Sequence, residues 1–322
     1  MDEIGTLSGI FQSLADPTRL RIVMLLRAME LSVGELAHVL GQSQPRVSRH
    51  VRILTDSGLV GRRKEGSWVF LQLASGERDG PLHELIARWS DYEALELFGA
   101  DLARLDAIRA DRAEAARRYF EAHAATWDSI RSLHVDDGEI ERAIEQLMAD
   151  RPIGALLDIG TGTGRMLELL APRADGAVGI DRSSEMLRLA RVRLDEAGVT
   201  GASLRQGDMY ALPLADRSQD SIILHQVLHY AQQPGAAIAE ASRVLRAGGR
   251  LLVIDFASHQ REELREKDAH LRLGFADDAM RNWFAAAGIE LDRVERLEGG
   301  ELTVILWRGE KPGLEQAKRV AA

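Results

Sequence analysis

The residues with chemistry to offer gather in the second half of the chain. Leu156-Leu157-Asp158-Ile159 sets one carboxylate in an apolar run, and Gly160-Thr161-Gly162-Thr163-Gly164 follows at once. Glycines in that pattern permit a tight turn and let the backbone approach a ligand closely. Ala177-Val178-Gly179-Ile180 then leads to a second carboxylate, Asp181. An acid ending the strand after such a turn can accept hydrogen bonds from two ribose hydroxyls. Gly207-Asp208-Met209 closes a third segment, where a carboxylate can accept from an adenine amino group. A glycine turn alone suits any dinucleotide, but with Asp181 and Asp208 it predicts a nucleoside pocket. His225, His229 and Tyr230 follow a fourth segment, Asp220-Ser221-Ile222-Ile223-Leu224-His225. Either histidine can act as a base or serve as a pocket wall.

Such side chains need parallel strands to bring them to one edge. Strands are expected at Ala155–Ile159, 177–180, Ala202–Gln206, 221–225 and 250–256, with helical spacing between them. That alternation predicts an α/β domain, a parallel sheet covered by helices on both faces. A late antiparallel pair, 289–296 and 301–307, is set off by Gly299-Gly300. The residues after Arg308 read as a tail.

The first 80 residues are of another kind. Residues 11–28 have helical spacing broken at Asp16-Pro17, where Asp16 can cap a helix that Pro17 begins. Ser32 and Glu35 fit a capping box for a short helix ending at Gly41. Ser43 is placed to cap a third helix through Pro45, Val47, Val51 and Leu54. Two short helices joined by a glycine turn make a helix-turn-helix. Leu59-Val60 begins a strand, Arg62 to Ser67 reads as a hairpin tip, and Trp68 to Leu73 as the return strand, together a wing. Gly80-Pro81 opens a longer helical region in which Leu95, Phe98, Leu102 and Leu105 form a stripe, read as a connecting and dimer-forming segment.

A recognition helix puts its N-terminal residues against base edges in the major groove. Here those are Gln42, Ser43, Gln44, Arg46, Val47, Ser48, Arg49 and His50. Gln44 can pair with adenine, and Arg46 or Arg49 with guanine. Arg52, Arg62, Arg63 and Lys64 are better placed for phosphate or the minor groove. The stretch 43–64 has six basic residues against Asp56 alone, within a chain of net charge −9. A local basic face on an acidic protein predicts one docked surface of double-stranded DNA, not a general affinity for polyanions.

Bulk composition sets the outer bounds. At 322 residues and 45% hydrophobic, the chain is long enough for two domains. No window of about 18 uncharged apolar residues occurs, so no membrane span is expected. Met1-Asp2-Glu3 lacks the basic-then-apolar order of a signal peptide, which predicts a cytoplasmic protein. The absence of cysteine excludes disulfides, thiolate metal sites and cysteine nucleophiles.

Leu14-Ala15-Asp16-Pro17-Thr18-Arg19-Leu20-Arg21-Ile22, Val33-Gly34-Glu35-Leu36-Ala37, Ser43-Gln44-Pro45-Arg46-Val47-Ser48-Arg49-His50 and Gly58-Leu59-Val60 resemble the ArsR/SmtB family of winged-helix repressors. The resemblance covers residues 6–75 and implies a homodimer on a roughly palindromic operator. Metal-sensing members carry cysteines just after a Glu-Leu pair. Here Glu30-Leu31 is followed by Ser32-Val33-Gly34, and His83 has no matching cluster, so metal sensing is not expected.

The glycine turn, Asp181, Asp208 and the later Arg243-Val244-Leu245-Arg246-Ala247-Gly248-Gly249 are similar to class I methyltransferases dependent on S-adenosylmethionine (SAM). That similarity spans residues 118–308 and implies a Rossmann-like, seven-stranded sheet. It assigns Asp158, Gly160, Thr161 and Gly162 to the methionine moiety, Asp181 and Arg182 to ribose, and Asp208 and Met209 to adenine. Met186 and His225 complete the set, and the region around Tyr119 resembles the family's lid helix. Tyr119 near a sulfonium would help tell SAM from the neutral S-adenosylhomocysteine (SAH); packing is the equal alternative. The expected order is a winged helix at 1–78, a helical linker at 79–117, a methyltransferase-like domain at 118–308 and a tail at 309–322. Such fusions resemble regulators of the methionine and SAM cycle, with SAM or SAH as effector. A working methyltransferase on a small molecule, carrying a DNA module, is the other reading. Arsenite methylation fails for want of thiolates.

Overall fold

The computed structural model describes residues 3–28, 31–65, 68–74, 99–108, 110, 137–298 and 301–313. The chain divides into two units, Met1–Glu114 and Ala115–Ala322.

In the first unit, α1 (Glu3–Leu14) stops before Asp16, whose carboxylate caps α2 (Pro17–Ala28). The Thr18 and Arg19 amides donate to Asp16 Oδ1 at 2.8 and 3.1 Å, as the Asp-Pro pair predicts. A two-residue strand, β1 (Leu31–Ser32), precedes α3 (Val33–Leu40). The expected capping box is present: Ser32 Oγ accepts from the Glu35 amide, and Glu35 accepts from the Ser32 amide. Gly41 turns the chain in the left-handed region into α4 (Gln44–Asp56). Ser43 is the cap residue of α4, but its side chain makes no capping bond.

The wing is β2 (Val60–Glu65) and β3 (Trp68–Leu73), with β1 added to give the antiparallel order β1-β3-β2. The sequence puts Arg62, Arg63 and Lys64 at the hairpin tip; they instead lie on β2, opposite Leu71, Phe70 and Val69. The pairing extends to Glu65 opposite Trp68. Ile22, Val23, Leu36, Val39, Val47, Val51, Leu54 and Leu71 form the core of this unit. The expected linker is described only at 99–108 and 110, where 99–108 is helical. Leu105 is fully buried in that core, with Leu102 and Ile108 packed beside it. Asp101, also buried, takes both arms of Arg21 at 2.6 Å, while Arg104 donates to the Val39 carbonyl.

The described part of the second unit begins with α5 (Asp137–Leu147). It continues through β4 (Ala155–Ile159), α6 (Arg165–Leu170), β5 (Gly176–Asp181), α7 (Ser184–Glu196), β6 (Ala202–Gln206) and β7 (Gln219–His225). Then come α8 (Pro234–Val244), β8 (Leu245–Phe256), α9 (Glu263–Lys267), α10 (Asp277–Ala286), β9 (Glu290–Leu297) and β10 (Val304–Glu310). The seven strands lie in the order β6-β5-β4-β7-β8-β10-β9. The first five are parallel, and β10 runs antiparallel to both β8 and β9.

Alternate residues of each strand enter opposite cores, as the pleat requires. Leu156, Ile223, Leu252 and Leu306 join one core with Leu167 and Leu170 of α6. Leu157, Ile222, Leu251 and Ile305 join the other with Ile238 of α8 and Phe284 of α10. Gly309 and Glu310, expected to lie in a tail, belong to a strand instead. β10 runs to Glu310, and the Lys311 amide donates to the Gly249 carbonyl. A further long-range tie binds Arg250, buried and pushed down to about 10 by burial, to Asp150, which Arg308 also contacts.

Candidate functional site

The sheet order decides where a ligand can sit. From β4 the chain moves outward through β5 and β6, then returns to add β7 on β4's other side. The connections after β4 and β7 therefore diverge, leaving a crevice at the strands' carboxyl ends, where open α/β sheets bind ligands. Asp158 and the glycine turn stand at the end of β4, Asp181 at the end of β5, Asp208 just beyond β6 and His225 at the end of β7. The fold thus brings the sequence's candidates to one edge.

The turn is tightly wired. The Gly160 and Thr161 amides both donate to the Ile180 carbonyl, at 2.8 and 3.0 Å. Buried Asp158 accepts from Thr161 Oγ1 at 2.6 Å. Gly160 has φ +71°, and a Cβ added there would lie 2.3 Å from Val227 Cγ2, so the turn presses against the loop after β7. Gly162, at φ +52°, points its amide at Asp181 Oδ2, 2.8 Å away, and the Ser183 amide donates to Oδ1 at 2.8 Å. Burial pushes the Asp181 carboxyl above the ordinary range, against the opposing pull of the Ser183, Gly162 and Arg182 amides.

The remaining candidates are less uniform. Met186 is buried in the first turn of α7, its amide bound to Ser183 Oγ. Arg182 is exposed, and its carbonyl takes the Gln206 amide. Asp208 is half-buried and accepts from the Tyr210 amide at 3.0 Å, while Met209 packs against the core under α8. Tyr119 lies outside the described residues.

In the first unit, Val47, Val51 and Leu54 turn inward from α4. Gln44, Arg46, Ser48, Arg49 and Arg52 are exposed, as is Ser43. Two candidates are engaged with the scaffold instead. Gln42 Nε2 donates to Thr18 Oγ1 at 3.3 Å, and half-buried His50 has Nδ1 3.8 Å from Asp16 Oδ1. Partial burial raises the Asp16 carboxyl, but the Arg19 and Thr18 amides with the His50 and Arg19 charges hold it below the usual range. The side chains of Arg63 and Lys64 lie outside those described.

Comparison with known proteins agrees with each unit. The family described as "Bacterial regulatory protein, arsR family" matches residues 16–61, and "Methyltransferase domain" matches residues 157–253. The arsenical resistance operon repressor of Escherichia coli (strain K12) is 50% identical over 66 residues, 20% of this chain and 56% of that protein. The malonyl-[acyl-carrier protein] O-methyltransferase of Methylococcus capsulatus is 36% identical over 149 residues, 45% of this chain and 53% of that protein. The putative methyltransferase solved with the Haloferax volcanii Trm112 activator aligns with a TM-score of 0.51 at 20% identity, over 61% of this chain and 97% of that one, a likeness of fold. The chain joins an ArsR-like helix-turn-helix domain to a methyltransferase-like domain. It spans a third to two thirds of the length of the curated relatives it matches.

Within the methyltransferase-like domain the structure adds residues that the sequence reading passed over. Asp255, fully buried near the end of β8, holds His229 Nδ1 at 2.7 Å. Tyr210 Oη accepts from the Gln233 amide, bracing the loop after β7 against the segment that carries Asp208. Both contacts cross more than twenty residues of sequence, beyond the reach of motif spacing. Among the described residues, no three His, Asp or Glu side chains gather as a metal would require, and no helix is long and apolar enough to cross a membrane.

Proposed function

We propose that the chain is a DNA-binding transcriptional regulator whose methyltransferase-like domain takes SAM or SAH as its effector. The observation that carries this reading is a single covalent chain. It presents an exposed Arg46–Arg49 face on α4, and elsewhere sets Asp158, Asp181 and Asp208 at three adjacent strand ends. The protein acts as a cytoplasmic homodimer on a roughly palindromic operator among genes of the methionine and SAM cycle.

The residues suit the ligand. A half-buried strand-end acid, Asp181, held in place by the Gly162 and Ser183 amides, fits ribose hydroxyls. Asp158 and the Gly160–Gly162 turn would hold the methionine moiety, Asp181 and Arg182 the ribose, and Asp208 and Met209 the adenine. Bound there, SAM would bring a transferable methyl group on a cationic sulfur, and SAH would not.

Asp181→Asn is expected to weaken both ligands by about 10- to 100-fold, the scale of one charge-assisted hydrogen bond. Calorimetry on the full chain checks this. The raised carboxyl also fixes a pH response. Ribose needs the ionised acceptor, so affinity falls as pH drops through a value above that of a free aspartate. The same shift makes the ionised form a cost to folding, which fades over that range.

The test of function is capture of genomic fragments by the full chain, without ligand and with SAM or SAH. Recovery of a defined operator whose yield changes with ligand supports the reading. Fragments recovered without sequence preference, or equally under all three conditions, contradict it.

A further inference from the structure

The loop after β7 holds more polar chemistry than a nucleoside pocket uses. Gln226 is buried in the left-handed region at φ +49°, where a side chain is strained, and its amide is tied to the Ile254 carbonyl. Strained backbone of this kind gathers at functional sites. Val227 then abuts the Gly160 turn, and Leu228–Tyr230 forms one 3₁₀ turn. His229 in that turn is 2% exposed. Its Nδ1 meets Asp255 Oδ1 at 2.7 Å, and its own amide donates to Asp255 Oδ2 at 3.2 Å. The Phe256 amide donates to the same carboxyl at 2.8 Å, so every contact asks Asp255 to accept. The imidazole proton is thereby placed on Nδ1, leaving a lone pair on Nε2. That Nε2 and the Gln226 Nε2 are both buried and have no hydrogen-bond partner among the described residues. Tyr230, Phe256 and His270 surround the ring at centroid distances of 4.0, 5.2 and 4.2 Å.

An orphaned buried acceptor costs folding free energy unless a partner arrives. Here an orphaned acceptor and an orphaned donor share one four-residue loop beside the glycine turn. We infer that His229, oriented by Asp255, is the proton acceptor for a small-molecule substrate bearing a phenolic or enolic hydroxyl, with Gln226 donating to a neighbouring oxygen of that substrate. The methyltransferase-like domain is then chemically competent as well as ligand-binding, and this rests on the SAM pocket proposed above. The substrate oxygen forms a bond to the methyl carbon and gives its proton to His229 Nε2, while the carbon–sulfur bond breaks with its electron pair going to sulfur. Asp255 holds the resulting imidazolium, which returns its proton to water. Among the described residues, the other titratable groups with rings against His229 are Tyr230 and His270.

The test uses the full chain with isotopically labelled SAM, a panel of phenols and β-dicarbonyl enols, and a small-molecule cell extract. Wild type should label at least one compound. His229→Gln should lower that rate about 10²-fold or more, the usual share of a general base. It should also remove the acid limb of the pH–rate profile while leaving the calorimetric affinity for SAM unchanged. Asp255→Asn should lower the rate as well, and should shift the His229 ¹⁵N resonances away from the Nδ1-protonated form. Thermal melts of both variants show whether they fold. No label on any compound, or His229→Gln turning over at the wild-type rate, overturns the proposal. Failure of wild type to bind SAM overturns the pocket itself and is read separately by the calorimetry.

Discussion

Removing both Arg46 and Arg49 is expected to lower operator affinity by about 10²- to 10⁴-fold, since each base-reading arginine contributes roughly 1–3 kcal/mol. Both side chains are exposed on α4, whereas the helix is anchored by Val47, Val51 and Leu54 on its other face. The double variant should therefore fold normally, with stability within about 0.5 kcal/mol of wild type. SAM affinity measured without DNA should not move. Fluorescence anisotropy on an operator and on a scrambled duplex, at two salt concentrations, separates the roles. Loss confined to the operator marks base contacts. A uniform loss, with a salt slope lower by about 1 per residue, marks phosphate contacts. An unchanged affinity for both duplexes would remove α4 as the reading element.

The other large effect is structural. Asp101→Ala should destabilise the first unit by about 3–5 kcal/mol, the usual penalty for breaking a buried ion pair from one side. Asp101 is 1% exposed and takes both arms of Arg21, while Arg104 beside it binds the Val39 carbonyl of α3. The truncation strands a guanidinium between α2 and the helical stretch 99–108. Asp101→Asn keeps the shape and should cost less. Hydrogen exchange of α2 and α3 amides reads the effect locally; unchanged protection in the alanine variant would show that the pair contributes little.

What the sequence disclosed, it disclosed locally. Asp16-Pro17 and the Ser32–Glu35 box act over two or three residues, so the side chains and the amides they cap are neighbours in the chain. The strand ends at Asp158, Asp181 and His225 were legible because apolar runs stop there and glycines or polar residues begin. Contacts made through space were not. Arg21 and Asp101 are 80 residues apart, and His229 and Asp255 are 26 apart, with no spacing rule to join them. The wing shows the limit at short range: the basic residues suggested a tip, but strand register places them opposite Phe70 and Leu71. Ser43 has the right type and position for a cap, yet makes no capping bond. Leu31–Ser32 was hidden as a strand because two residues carry no periodicity, and pairing with Phe70 and Leu71 alone defines it.

The proposed function requires the two units to exchange free energy. An effector can shift operator binding only by its differential affinity for the DNA-bound and free states. The most direct measurement is one operator titrated with the full chain at saturating SAM, at saturating SAH and with neither. The proposal predicts a change of about 5- to 150-fold between ligand states, matching a coupling of roughly 1–3 kcal/mol. The reciprocal titration, ligand into chain with and without operator, must show the same factor. Identical operator affinity under all three conditions, with both ligands shown to bind, would contradict it.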